Sequence, residues 1–200
     1  ASEAAFAVSS LYIDPDALFQ MGLVSEETLA RNVYYGSPYT ADYEFARTAR
    51  TELLKEAFSN ISLDLRKEIR TFCEENRWCE SYALYAAAKE CFGGAPWYEW
   101  DEKFARFESA YRNADELQET AEYYQFEQYI AFTQWHAIKQ FANEHGVKIL
   151  GDMPIYVSFD SADVWSNRSL FEIDERTFIR KRVSGVPPDY FSEDGQLWGN

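Results

Sequence analysis

Two hundred residues with 46% apolar content are enough for a folded domain with a real core and too apolar for a disordered chain. The net charge of −15 argues against nucleic acid or an anionic bilayer as partner, because both depend on clustered Lys and Arg. Aromatic content reaches 18%, with 6 Trp, 14 Tyr and 15 Phe, residues that fill cores and also line sites for flat, weakly polar ligands.

The chain opens on "AFAVSSLYIDPDAL", a loop carrying a short extended piece at Leu11–Ile13. Asp14-Pro15 then starts a helix that runs to about Met21 and stops at Gly22, since Asp accepts orphan N–H groups and Pro suits a first turn. Ser25 to Asn32 reads as a second short helix capped by Ser25, with Thr28 where a capping box wants Glu. "YYGSPYTADY" is a loop by its Gly, Ser and Pro content.

Between Asp42 and Gly93 the apolar period is helical, through Phe45, Ala49, Leu53, Ala57 and Phe58, then Leu65, Ile69 and Phe72, then Tyr82, Tyr85 and Ala86. "APWYEWD" is an aromatic loop leading into Asp101–Tyr111; Trp97 and Trp100 suit either a sugar-stacking pair or, more simply, a packing clamp. Asp115 to His145 is one long helix with a stripe through Tyr123, Phe126, Ile130, Thr133, Ala137 and Phe141, and Gly146 ends it. Trp135 and His136 are packing or face residues of that helix. The character then changes. Val147–Leu150 reads as a short buried-type strand with Ile155–Val157 continuing it, "DSADVW" as a capped turn, and "LFEIDERTFIRKRVSG" as a small hairpin. "GVPPDYFSEDGQLWGN" is Pro- and Gly-rich loop without period.

Cys73, Cys79 and Cys91 form an odd set without C-x-x-C spacing, which fits reduced, buried thiols of a cytoplasmic protein better than disulfides or zinc. Two histidines, His136 and His145, are too few for a His-rich metal site, and nothing implies a cofactor. No stretch approaches the ~20 apolar residues of a membrane span, and "ASEAAFAV" lacks a basic signal-peptide start.

The helix–Gly–strand junction at Phe141–Leu150 is half of a βαβ unit, and parallel strands need neighbours on both sides and helices over their faces. One convincing strand, with Leu11–Ile13 as a candidate second, does not make a barrel or a doubly wound sheet. The expectation is therefore a mainly α chain with a minor β part, excerpted from a larger enzyme; the alternative is a complete α+β domain with strands unrecognised.

"GDMPIYVSFDSADVW" together with "SGVPPDYFSEDGQLWGN" closely resembles the 4-α-glucanotransferase (amylomaltase) family of the α-amylase clan, whose pattern reads approximately G-D-[IL]-P-[IF]-[YF]-V-A-x-D-S-A-x-V-W and A-G-V-P-P-D-Y-F-S-x-x-G-Q-x-W-G-N. "FGGAPWYEWD", "YYQFEQYIAFTQWHAIKQFANEHGVKILGD" and "AAFAVSSLYID" are also similar to family segments, so the resemblance covers the whole chain. Val8, Ser9 and Ser10 depart from the family's Gly-Asn-Pro, and Ser158 replaces a common Ala.

The resemblance implies a (β/α)8 TIM-type barrel with a helical insertion, incomplete in this chain: residues 1–41 as barrel-associated loop and short helices, 42–145 as insertion, and 146–200 as barrel strand, hairpin and active-site lid. It implies retaining transfer of α-1,4-glucan segments between maltodextrins, with one carboxylate as nucleophile and a Glu as acid/base. Those residues are expected beyond Asn200, so no catalytic residue is assigned among Asp152, Asp160, Asp163, Asp189, Glu193 and Asp194. Four residues are assigned to substrate binding: Asp152 at the strand exit, and Tyr190, Phe191 and Trp198 on the lid. Each also has a plainer reading, Asp152 as a loop anchor and the aromatics as packing. The orphan strand carries a further expectation of self-association through its unpaired edges. A non-catalytic glucan-binding or helical interaction module is the competing reading; it has no need of a barrel-type strand exit joined to a transferase lid.

Overall fold

Side-chain caps set most helix starts in the computed structural model, which describes residues 3–152, 154 and 156–198. Asp14 accepts an N–H ahead of α1 (Pro15–Gln20), Ser25 ahead of α2 (Glu26–Arg31), Asp42 ahead of α3 (Tyr43–Ser59) and Ser62 ahead of α4 (Leu63–Glu75). Such a cap contributes about 1 kcal/mol. There follow α5 (Arg77–Cys91), α6 (Glu102–Ala105), α7 (Phe107–Arg112), α8 (Gln118–Glu144) and α9 (Ala162–Ser166), the last capped by Ser161. Gly146, at φ 76°, closes α8 with the paired bonds of a Schellman end, Val147 N–H to Ala142 O at 2.9 Å and Gly146 N–H to Asn143 O at 3.0 Å. Among the described residues no helix is long and apolar enough to cross a membrane.

By contacts the chain divides into two units, each discontinuous in sequence: Val8–Cys79 with Glu122–Leu150, and Ala1–Ala7 with Glu80–Ala121 and Gly151–Asn200. The core of the first joins Ile13, Leu18, Leu53, Leu54, Ile69, Phe126 and Ile130, all buried. Two of its long-range polar contacts are made by side-chain amides that imitate backbone. The buried Gln128 amide accepts from Val8 N–H at 2.9 Å and donates to Val8 O at 3.0 Å, and Gln134 treats Asp14 in the same way. The carboxylate that a capping box would want near Ser25 comes from α3 instead: Glu56 accepts from Ser25 N–H at 2.6 Å and from the Thr28 hydroxyl. Those bonds, Thr28 foremost, hold Glu56 below the usual carboxylate range.

Two expected strands are absent. Leu11–Ile13 is not a strand: Ser10–Tyr12 is a 3-10 turn nucleated by Ser9, because its polar start offers local bonds, and only Ile13, which follows in extended conformation, is buried. Val147–Leu150 forms no ladder among the described residues, and Leu150 is 97% exposed. An apolar run becomes a strand only where a neighbour takes its N–H and C=O groups. Of the expected continuation, Ile155 lies outside the described residues and Val157 is not in a strand. The apolar stripe of α8 likewise outlasts its covering: Tyr123, Phe126 and Ile130 are buried, whereas Phe141 is exposed.

The second unit is organised around the Asp160 carboxylate. It accepts from the Tyr85 hydroxyl at 2.8 Å, from the Lys89 ammonium, and from the backbone N–H of Trp97 at 3.2 Å. Around it Tyr85, Trp97, Trp100, Phe104 and Trp165 are buried in a ring-on-ring cluster. Each indole N–H donates to a carbonyl: Trp97 to Phe159, Trp100 to Ala95 and Trp165 to Phe104, at 2.8, 2.8 and 3.0 Å. Trp97 and Trp100 are thus the packing clamp. The expected hairpin is present as an antiparallel bridge between Ile173 and Arg180, with Phe178 at its turn packed against Trp97. The final loop, expected without regular structure, closes as a second hairpin of β1 (Gly185–Val186) and β2 (Gln196–Leu197).

Removing Asp160 strands the largely buried Lys89 ammonium. Asp160→Ala should cost about 3 kcal/mol, whereas Asp160→Asn, which keeps acceptors for Tyr85 and Trp97, should cost about 1–2 kcal/mol. Urea unfolding of the two variants checks the order. Burial, and then the bond to Asp160, push the Tyr85 phenol above its ordinary range. The fold therefore favours the neutral phenol: its stabilisation is complete below about pH 10 and is lost as pH rises further. Melting temperature against pH should fall less steeply above about pH 10 for Tyr85→Phe than for the unsubstituted chain.

Candidate functional site

The segment Ser184 to Trp198 builds its own frame. Pro187-Pro188 restrict the backbone on the way into the turn. The Asp189 carboxylate then accepts from the N–H groups of Phe191 and Ser192, both at 2.9 Å, while its own N–H donates to Ser192 O at 2.9 Å. This is an Asx-type turn, the local bonding for which Asp is favoured in loops. The Ser192 hydroxyl donates to Gly195 O at 2.7 Å, and Gly195 N–H returns to Ser192 O at 3.2 Å. Gly195 has φ 73°, and a Cβ there would lie 2.6 Å from Val186 O, so the turn requires glycine. Below it Gly185 faces Leu197 and Val186 faces Gln196, and Trp198 N–H donates to Ser184 O at 2.9 Å.

A frame bonded this tightly leaves the two apex rings no core to enter. Tyr190 is 97% exposed and Phe191 88%, and they meet edge to face at 5.7 Å. Trp198, 46% exposed, stands edge to face with Tyr156 at 5.2 Å, its indole N–H on Gln196 Oε1 at 3.1 Å. Asp152 is exposed on the segment that leads, four residues on, to Tyr156. The loop thus joins Tyr190 to Phe191, and Trp198 to a residue the sequence reading did not single out. Tyr156 was visible in "PIYV", but nothing in the sequence pairs it with Trp198.

Four of the tail's carboxylates, Asp160, Asp163, Asp174 and Asp189, are occupied as scaffold, whereas Glu193 and Asp194 lie on the final hairpin with no such role assigned. Asp160 holds three donors, Asp163 accepts from Ala5 N–H at 2.8 Å, Asp174 accepts from Arg176 and Thr177, and Asp189 holds the turn. Of the capping expectation for residues 160–163, Ser161 meets it through Val164 N–H, whereas Asp160 and Asp163 bind remote segments. Among the described residues no group of three His, Cys, Asp or Glu is arranged to hold a metal ion. What the arrangement offers is exposed aromatic faces on a self-bonded loop, a surface suited to flat, weakly polar ligands.

The fold has a solved counterpart among amylomaltases. The whole chain superposes on 41% of the amylomaltase from Streptococcus agalactiae, solved in complex with acarbose, with a TM-score of 0.90 and 36% identity. The chain belongs to the 4-alpha-glucanotransferase family, whose sequence profile matches residues 1–200. It is 38% identical to the 4-alpha-glucanotransferase of Synechocystis over 98% of its length, and 40% identical to that of Thermus thermophilus over 100%. It spans about 40% of the length of these relatives.

Gly195→Ala places a Cβ against backbone and forces a left-handed residue at about 1–2 kcal/mol. Amide exchange at Phe191, Ser192 and Trp198 should quicken roughly tenfold while the melting temperature stays unchanged. Unchanged exchange with a lowered melting temperature would show that the loop is part of the core instead.

Proposed function

We propose that this chain forms part of the glucan-binding wall and lid of a 4-α-glucanotransferase, which moves α-1,4-glucan segments between maltodextrins with retention. The observation that carries the reading is the apex of the final hairpin: two aromatic rings held almost fully in solvent by a self-bonded turn, in a chain of this family. Exposed aromatics in a rigid frame are what a stacking site for sugar rings needs, because the rings lose little freedom on binding. Tyr190, Phe191 and Trp198 contribute the stacking faces, and Asp152 accepts from sugar hydroxyls.

The nucleophile and acid/base are proposed to lie outside these residues, since retaining transfer needs two carboxylates about 5–5.5 Å apart and facing one sugar bond, and Asp160, Asp163, Asp174 and Asp189 are consumed in holding backbone and side chains. No cofactor is required by this chemistry. In the same reading Val147–Leu150 occupies the position of a (β/α)8 barrel strand, and residues 42–145 are the helical insertion. The exposed apolar side chains of Trp135, Ile138, Phe141, Ile149 and Leu150 support it, as they suit cover by further barrel elements, or by a second copy where those are missing.

Titration of the chain with maltoheptaose, followed by calorimetry and tryptophan fluorescence, tests the reading. Tyr190→Ala and Trp198→Ala should each weaken binding about fivefold, on the order of 1 kcal/mol. The same preparation should release no glucose from maltotriose. In a longer polypeptide that carries the catalytic carboxylates, Trp198→Ala should raise hydrolysis relative to transfer, as water gains access to the glycosyl-enzyme. A chain that does not bind maltoheptaose, or variants that bind it as tightly, overturn the wall-and-lid role; glucose release by the pure chain overturns the placement of the carboxylates.

A further inference from the structure

Cys73 and Cys79 have no part in the glucan-binding reading, yet their sulfurs lie 3.3 Å apart, and both side chains are buried in the core of their unit. Cys73 sits in the last turn of α4 and Cys79 in the first turn of α5. The link between them is short and fixed: Asn76 N–H donates to Phe72 O at 2.9 Å, and Asn76 O accepts from Cys79 N–H at 2.8 Å. The turn thus holds the two thiols in hydrogen-bond contact, Cys73 donating to Cys79, with no disulfide between them. From 3.3 Å the sulfurs need to close by about 1.2 Å to reach the ~2.05 Å of a disulfide. The third cysteine, Cys91, is exposed and serves as an internal control.

We propose that Cys73 and Cys79 form a reversible dithiol–disulfide couple that clamps the end of α4 to the start of α5. The oxidant class is a low-molecular-weight disulfide such as oxidised glutathione. One cysteine thiolate attacks a sulfur of the disulfide, forming a mixed disulfide and releasing one glutathione thiol. The second cysteine then attacks the mixed disulfide at the protein sulfur, forming the Cys73–Cys79 bond and releasing the second glutathione. Two protein thiols are oxidised, one external disulfide is reduced to two thiols, and the protons pass to the leaving thiolates. Burial makes access depend on local opening of the turn, whose residues Glu74, Glu75 and Arg77 are exposed. Once closed, the bond bridges a short loop inside the core and is shielded from exchange, so reduction requires the same opening.

The test equilibrates the 200-residue chain with glutathione buffers from reducing to oxidising, in buffer and again in urea just below the unfolding transition, where access is not limiting. The products are acid-quenched, alkylated after unfolding and weighed by mass spectrometry. Beyond any adduct on Cys91, two thiols should disappear together, at one midpoint, in a monomer with no added glutathione mass on either. Cys91→Ser should leave that two-thiol step in place. Cys73→Ser should abolish it and leave a glutathione adduct on Cys79. The bridged form should also melt at a higher temperature than the reduced form, a difference that Cys73→Ser removes. Free Cys73 and Cys79 at the oxidising end in both conditions, stable glutathione adducts on both, or a bond found only between two chains overturns the proposal.

Discussion

A single carboxylate organises the unit that carries the candidate site. Asp160 receives a phenol, an ammonium and a peptide N–H from residues that lie 63 to 75 positions earlier in the chain. Moving a charge out of water is unfavourable unless donors replace its hydration, and here three do so at once. The consequence is structural. The segment 159–165 and the Gly-Gly-x-Pro-Trp segment are fixed to each other, and the buried tryptophans fill the space between, each with its N–H on a backbone carbonyl. Arg180 over the Phe159 ring and Phe178 against Trp97 extend the same assembly to the first hairpin.

The two hairpins of the tail are built on opposite principles. The first depends on the aromatic cluster, and its turn residue Phe178 accepts a positive φ of 57° while the Arg106 and Arg168 guanidiniums both lie within 5.2 Å of its ring centre. The second closes on Asp189, Ser192 and Gly195, with the bonds of its turn all inside its own sequence. That independence is what lets Tyr190 and Phe191 stand in solvent without collapsing onto the nearest apolar surface.

Local information was legible in the sequence and remote information was not. Asp14, Ser25, Asp42 and Ser161 announce helices because capping is a bond between neighbours, and Gly146 ends one because its φ is a property of that residue alone. The strands failed for the converse reason: Leu11–Ile13 and Val147–Leu150 have strand composition, but a strand exists only with a partner. Gln128 and Asp160 were invisible as organisers, since nothing in either residue's surroundings names Val8, Tyr85 or Lys89 as its counterpart. The hairpin at 185–197 was missed because two-residue strands carry no period, although Asp189 and Gly195 were the residues that such a turn demands.

The same limit governs the tryptophans, and its resolution bears on function. Trp97 and Trp165 are buried with their N–H groups on remote backbone, and Trp100 is buried with its N–H on Ala95 of its own loop, whereas Trp198 donates within its loop and remains 46% exposed. Composition cannot separate these two sets; burial of the ring, with its N–H on a backbone carbonyl, does. A tryptophan whose N–H is tied to the core is committed to packing, and its faces are spent. A tryptophan tied only to Gln196, two residues away, and steadied on one edge by Tyr156 keeps a face available to a ligand and moves with its loop. On that criterion the aromatic segments of this chain divide cleanly, with Trp97 and Trp100 as framework and with Trp198, Tyr190 and Phe191 as the rings whose faces the fold leaves open.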